Sequence, residues 1–192
     1  MDALKVLLER RSIRKYRAVN VSDEVLQEIV EAGLYAPSGL NLQPWYFVVV
    51  RTPEKMTQVR AVMSVVALRF NPILQKQFHD HPEVITETNN FLVTLGGAPA
   101  CVLVYADKPY GAEGRDNVIE SISAAIENMQ LAAWNRGVGS CWIGAPNHVD
   151  CAGLFETGFA AGRGEFVAAL TLGYPAEDPK PHKRKGGRYT MV

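Results

Sequence analysis

Ala36-Pro37-Ser38-Gly39-Leu40-Asn41-Leu42-Gln43-Pro44-Trp45 is a polar, turn-forming loop that runs straight into the apolar stretch Trp45–Val50. Pro37, Gly39, Asn41 and Pro44 suit a change of chain direction. Ser38, Asn41 and Gln43 add donors and acceptors fit for a flat polar ligand, and Gly39 lets backbone come close to it. A polar loop on a rigid strand edge is where a binding site belongs. Taken alone, the stretch also reads as a plain turn before a strand.

Two cationic segments change that balance. Near the N-terminus stands Arg10-Arg11-Ser12-Ile13-Arg14-Lys15, and near the C-terminus His182-Lys183-Arg184-Lys185-Gly186-Gly187-Arg188. With 20 Lys and Arg against 20 Asp and Glu the formal net charge is zero. The two runs are therefore local concentrations of charge. Arg forks and Lys ammoniums suit a phosphate. Each run alone is equally a solvated charged end.

At 192 residues the chain is long enough for a substantial core, and residues 1–192 read as a single domain. Hydrophobic residues at 47% and charged residues at 21% are ordinary for a globular protein. Charge neutrality argues against a general nucleic-acid binder. The three cysteines, Cys101, Cys141 and Cys151, form no CxxC pair and cannot all pair within one chain. Cys101 and Cys141 lie in apolar runs and read as buried thiols, which fits a reducing cytoplasm. The N-terminal stretch has no signal-peptide apolar region, and no apolar run approaches a membrane span.

Along the chain, Leu4, Leu7 and Leu8 predict a short amphipathic helix over 2–9. Ser22 is an N-cap, with Asp23 and Glu24 in the first turn of a helix that Pro37 ends. Residues 45–51 read as a buried strand. Thr52 caps a third helix with Pro53 at its first position, and Met56, Val59, Met63 and Val66 on its inner side. Asn71-Pro72 predicts the start of a separate helical piece, broken at His81-Pro82. Residues 83–95 read as a helix, 96–99 as a turn and 100–106 as a fully buried strand. Residues 111–115 read as a flexible loop. A long helix over 117–136 is apolar nearly all round, so it must be buried centrally or against another subunit. Gly137 suits its C-terminus. Residues 140–143 and 166–172 are strands, 150–157 a short helix, and 175–188 an extended tail. The arrangement is α+β.

Familiar catalytic signatures are missing. Gly137-Val138-Gly139 has Trp142 where a third Gly would complete a dinucleotide fingerprint, and it follows a helix. There is no Walker sequence. His79 and His81 have no supporting ligand group, so no metal is expected. Ser12 and Ser38 have no His–Asp partners. Cationic residues with a polar loop, and no protein nucleophile, point to a protein that holds a phosphate-bearing cofactor and leaves the chemistry to it.

At this point a family resemblance enters. Arg10-Arg11-Ser12-Ile13-Arg14 followed by Tyr16 resembles the opening of the FMN-dependent nitroreductase family. Ala36-Pro37-Ser38-Gly39-x-Asn41-x-Gln43-Pro44-Trp45-x-Phe47 resembles its second hallmark. Glu127-Asn128-Met129-Gln130-Leu131-Ala132-Ala133, then Gly137-x-Gly139-Ser140-Cys141-Trp142-Ile143-Gly144, resembles its central helix and the following strand. Leu172-Gly173-Tyr174-Pro175 and the basic tail resemble its end. The segments occur in family order over nearly the whole chain.

The resemblance implies an α+β sandwich with a mainly antiparallel central sheet flanked by helices. It also implies an intertwined homodimer with FMN sites at the interface. Arg10, Ser12 and Arg14, with Arg11 beside them, would hold the FMN phosphate and ribityl chain. Lys183 and Lys185 would close on the phosphate. Pro37, Ser38 and Gly39 would reach the flavin of the partner subunit, while Asn41 and Gln43 stabilise that loop or bond the ring edge. Trp142, Ile143, Gly144 and Ala145 would run along the ring, with a backbone N–H aimed at N5. The tail departs from the family in having no Pro after its basic pair, and residues 68–97 match none of its hallmarks.

The implied activity is hydride transfer from NADH or NADPH through flavin N5 to a nitroaromatic, quinone or flavin acceptor, in ping-pong order. No catalytic side chain is expected. The alternatives are a specialised relative, either a reductive dehalogenase or a flavin-fragmenting enzyme, and a non-enzymatic phosphate- or RNA-binding module.

Overall fold

The computed structural model describes residues 2–107, 110, 114–181 and 183–192. Helix α1 (Ala3–Glu9) starts where the Asp2 carboxylate accepts from the Leu4 N–H at 3.2 Å. Helix α2 (Asp23–Leu34) starts at Ser22, whose hydroxyl accepts from Val25 N at 3.4 Å. Strand β1 is Trp45–Val50, and Thr52 then caps α3 (Pro53–Gln77) through Lys55 N at 3.3 Å. Next come α4 (Pro82–Thr94), β2 (Ala100–Ala106) and α5 (Arg115–Asn135). The chain continues with β3 (Gly139–Ile143), α6 (Ala145–His148), α7 (Ala152–Phe159) and β4 (Glu165–Gly173).

The strands form one four-stranded sheet in the order β1-β2-β4-β3, antiparallel throughout. Central β2 is buried at every position, as its unbroken apolar run requires when helices cover both faces. Its alternate residues feed two cores. Cys101, Leu103 and Tyr105 meet Met56, Val59, Met63, Phe91 and Phe155 from α3, α4 and α7. Val102 and Val104 meet Leu26 and Ile29 of α2 and Ile122, Ile126 and Met129 of α5. The result is a helix–sheet–helix sandwich, the expected α+β architecture.

Three local readings differ. Asn71-Pro72 does not open a new helix, because α3 runs through Pro72. Contacts with α4 hold that turn, among them Asn89 Nδ2 donating to Asn71 Oδ1 at 2.7 Å. Tertiary packing outweighs the proline's helix-breaking tendency here. Arg115, expected in a loop, begins α5, while residues 111–113 of that loop and His182 of the tail lie outside the described residues. The single turn α6 was not anticipated.

Helix α5 also settles why it is apolar on several sides. Ile122, Ala125, Ile126, Met129 and Ala133 are buried within one chain, between the sheet and α2. Its composition therefore demands no second subunit.

All three cysteines are free and buried, at 0%, 3% and 0% exposure for Cys101, Cys141 and Cys151. Burial pushes the Cys101 thiol up to about 12. The native protein is therefore expected to resist a thiol-specific disulfide reagent, and denaturant should release all three sites. Rapid labelling of the folded protein would contradict this packing.

Candidate functional site

The N-terminal cationic segment lies along the free edge of β3. Ile13 N donates to Ser140 O at 2.9 Å, and Ser12 pairs with Ser140 in a parallel bridge. Gly139 permits this contact, since a Cβ there would stand 2.6 Å from Ile13 Cγ1. Ile13 points into the core at 1% exposure, which turns Arg14 outward. Tyr16 locks the other end. Its hydroxyl donates to Ile13 O at 2.5 Å and lies 2.8 Å from Thr171 Oγ1. Burial drives the Tyr16 phenol far above its ordinary range, so it stays a neutral hydrogen-bonding group.

Each cation of the segment has a distinct setting. Arg10 Nε donates to Glu127 Oε1 of α5 at 3.2 Å. Arg11 Nη1 donates to the Leu8 and Arg10 carbonyls at 2.8 and 2.7 Å, so it braces the end of α1. The Arg14 guanidinium carbon lies 6.0 Å from the Phe91 ring centroid. Burial raises the Cys141 thiol, with the Arg14 and Arg10 charges pulling the other way, so both cations stand near β3.

β3 then delivers the next group. Cys141 and Ile143 face the core, while Trp142 is 38% exposed. Gly144 follows at φ −103°, and a Cβ built there meets nothing within 4 Å. Ala145 begins α6, and Asn147 Nδ2 ties that turn to Val167 O at 2.7 Å. Arg10, Ser12, Arg14, Trp142, Gly144 and Ala145 thus share one edge of the sheet, beside open space at Gly144.

The loop before β1 is built differently. Leu40, Asn41 and Gln43 all have positive φ, at 54°, 54° and 45°. Strain concentrated in non-glycine residues is a mark of functional loops. The Ser38 hydroxyl accepts from Gln43 N at 3.0 Å, Gln43 Nε2 donates to Asn41 Oδ1 at 3.0 Å, and Gly39 N donates to Ser121 Oγ of α5 at 3.3 Å. Asn41 and Gln43 thus brace each other. Pro37 and Gly39 are exposed and Ser38 is partly buried.

Within one chain the Pro37–Gly39 loop and the cationic cluster dock on the same helix, Gly39 N on Ser121 Oγ and Arg10 Nε on Glu127 Oε1 six positions further on. β1 and β3 are opposite edges of the sheet. Three inter-strand steps separate them, about 14 Å. Lys183 and Lys185 are exposed in the tail and form no salt bridge with another described residue. Sequence reasoning missed Glu127, Glu177 and Phe91. Glu127 stood inside a quoted helix motif but without a partner assigned. Glu177 meets residues 162 and 163 positions away, and no local pattern reports such a pairing.

The basic segment thus docks on the sheet edge four residues before Gly144, where the space beside the backbone is open. The profile of the Nitroreductase family matches residues 7–174. A protein of Archaeoglobus fulgidus, provisionally named NADH dehydrogenase/NAD(P)H nitroreductase, is 30% identical over 178 residues, 92% of this chain and 87% of its own length. An iodotyrosine deiodinase of Thermotoga neapolitana is 28% identical over 178 residues, 90% of this chain and 88% of its own. Among solved structures, a nitroreductase with bound FMN from Desulfitobacterium hafniense superposes with a TM-score of 0.76 at 25% identity, covering 100% of this chain and 99% of that one. The chain belongs to the nitroreductase family, and it is an oxidoreductase by that membership.

Proposed function

We propose that the protein is an FMN-dependent oxidoreductase, a single domain over residues 1–192, that passes hydride from NADH or NADPH to a small acceptor. The observation that carries this reading is the docking of the Arg10–Arg14 segment on β3 at Ser140, four residues before Gly144, where the space beside the backbone is open. The donor set fits the group. Two guanidiniums and a hydroxyl match a phosphate and a polyol, and a backbone strip without side chains at Gly144 can lie against a flat ring. The FMN in the Desulfitobacterium structure supports the same assignment.

When bound, FMN would supply the hydride-accepting N5 through which a nitroaromatic, quinone or flavin could be reduced. The chain's residues do the holding. Arg10, oriented by Glu127, and Arg14 neutralise phosphate charge, with Arg11, Ser12, Lys183 and Lys185 beside them. Trp142, Ile143, Gly144 and Ala145 present backbone to the ring. Pro37, Ser38 and Gly39 complete the site from the partner of a homodimer, braced by Asn41 and Gln43. The dimer reading rests on the family resemblance, in which this loop reaches the flavin of the partner subunit. No helix among the described residues is long and apolar enough to cross a membrane, and free buried thiols suit a cytoplasmic setting.

The decisive experiment is spectroscopic and kinetic. The purified protein should be yellow, and anaerobic NADH or NADPH should bleach it in one step. A quinone or nitroaromatic should restore the colour. Double-reciprocal plots should be parallel, since one site serves both substrates in turn. A colourless protein that takes up no FMN refutes the cofactor assignment, and intersecting plots refute the ping-pong order.

Likeness to an iodotyrosine deiodinase favours one second reading, reductive dehalogenation at the same site. Iodide release from iodotyrosine by the reduced protein would select it.

The phosphate assignment is testable on its own. Arg14→Ala should weaken FMN binding by roughly 1.5–3 kcal/mol, the range for hydrogen bonds to charged groups. Arg14→Lys should fall between, because it keeps the charge and loses the fork. If the alanine variant retains FMN through dialysis as the parent does, Arg14 is surface charge only.

A further inference from the structure

The C-terminal tail leaves β4 alongside the cationic segment. Arg17 N donates to Tyr174 O at 2.9 Å, Ala176 N donates to Lys15 O at 2.8 Å, and Tyr16 pairs with Pro175. Glu177 closes this ladder. Its Oε1 accepts from Arg14 N at 2.5 Å and from Lys15 N at 3.2 Å. Two successive backbone N–H groups converge on one anion, the arrangement of an anion-binding nest. Here the anion is the protein's own carboxylate.

From this geometry we infer that Glu177 is a positioning residue, a latch that fixes the tail so that Lys183 and Lys185 reach the cofactor phosphate. The inference rests on the proposed FMN site. Glu177 makes the last hydrogen bond between the described tail and the body of the chain. Lys183 follows six positions later and Lys185 eight. An extended chain covers at most ~3.6 Å per residue, so the tether from the latch reaches at most about 22 Å to the first lysine and about 29 Å to the second. A tether anchored beside Arg14 holds both ammoniums at high effective concentration near the phosphate. The nest amides are already engaged by Glu177, so side chains and the tail must carry the phosphate. The carboxylate also stands close enough to Cys141 and Tyr16 to oppose their ionisation, which places it at the same edge as Arg14.

The test compares FMN with riboflavin, which has the ring and no phosphate. Both are titrated into flavin-free parent, Glu177→Ala and Glu177→Gln. The alanine variant should bind FMN roughly tenfold more weakly, the scale of one lost charge-assisted bond, and riboflavin as the parent does. The glutamine variant keeps an acceptor oxygen and should restore most of the affinity. Equal losses for both flavins would mean a general structural role, and unchanged or tighter FMN binding would mean no latch at all. Either result overturns the assignment, as does a glutamine variant as weak as alanine. Lys183→Ala with Lys185→Ala must produce the same phosphate-selective loss, whether or not Glu177→Ala folds. If it does not, the tail does not hold the phosphate. A parent protein that binds neither flavin refutes the functional reading itself, a result distinct from any of these.

Discussion

Gly96→Ala should cost the protein more than about 3 kcal/mol of stability, in the tail of the range for single substitutions. Gly96 sits at φ +63°, in the left-handed region. That conformation alone costs a non-glycine residue about 1–2 kcal/mol. The larger effect is steric. A Cβ at this position would lie 2.0 Å from the Arg14 carbonyl oxygen and 2.7 Å from its carbon. Those are backbone atoms, so relief requires moving the segment that carries Arg14. The same move would break the bond from Tyr16 N to Gly96 O at 2.9 Å. Gly137 provides the comparison, because it has φ +70° and nothing within 4 Å of its would-be Cβ. Gly137→Ala should show the conformational cost alone. Urea unfolding of both variants measures the difference, and FMN retention should fall with Gly96→Ala. Equal stabilities would show that the cationic segment does not depend on this close approach.

Gly144→Val should have the opposite profile. Open space beside Gly144 and its ordinary φ of −103° mean that a Cβ there strains nothing in the chain itself. Stability should be nearly unchanged. On the proposed site, however, the valine would crowd the ring and its hydride donor. Displacing reacting groups by about 1 Å can cost on the order of 100-fold in rate. Stopped-flow bleaching by NADH or NADPH should slow by that order, with FMN affinity reduced less than in Arg14→Ala. Bleaching at the parent's rate would place the flavin elsewhere.

Much of this architecture was legible because it rests on local signals. The apolar run of β2 announced a strand covered on both faces. Ser22 and Thr52 announced helix starts, and both hydroxyls make the bonds expected of them. Pro72 misled because its cost is local, whereas the α3–α4 packing that overrides it is not. Helix α5 left two readings open. Apolarity on every side is compatible with a central position in one chain and with a subunit interface, and periodicity cannot separate the two. The candidate site was legible as residue types only. Arg10, Ser12 and Arg14 could be named in advance, but their placement beside β3 depends on Gly139, Gly96 and Tyr16. These act through close approach and burial, which a sequence does not display. Glu127 and Glu177 were invisible for the same reason, since each acts on a partner more than a hundred residues away. The strained φ values at Leu40, Asn41 and Gln43 were equally hidden, because none of these is a glycine.

The proposed division of each site between the Pro37–Gly39 loop of one subunit and the Arg10–Arg14 cluster of the other reaches into heredity. In the proposed homodimer each gene copy supplies the loop of one site and the cluster of the other. A subunit crippled only in its cluster, joined to one crippled only in its loop, leaves one site doubly damaged and the other assembled from two sound halves. Two alleles that are each inactive alone would then yield activity in the same cell. Two alleles damaged in the same half would not.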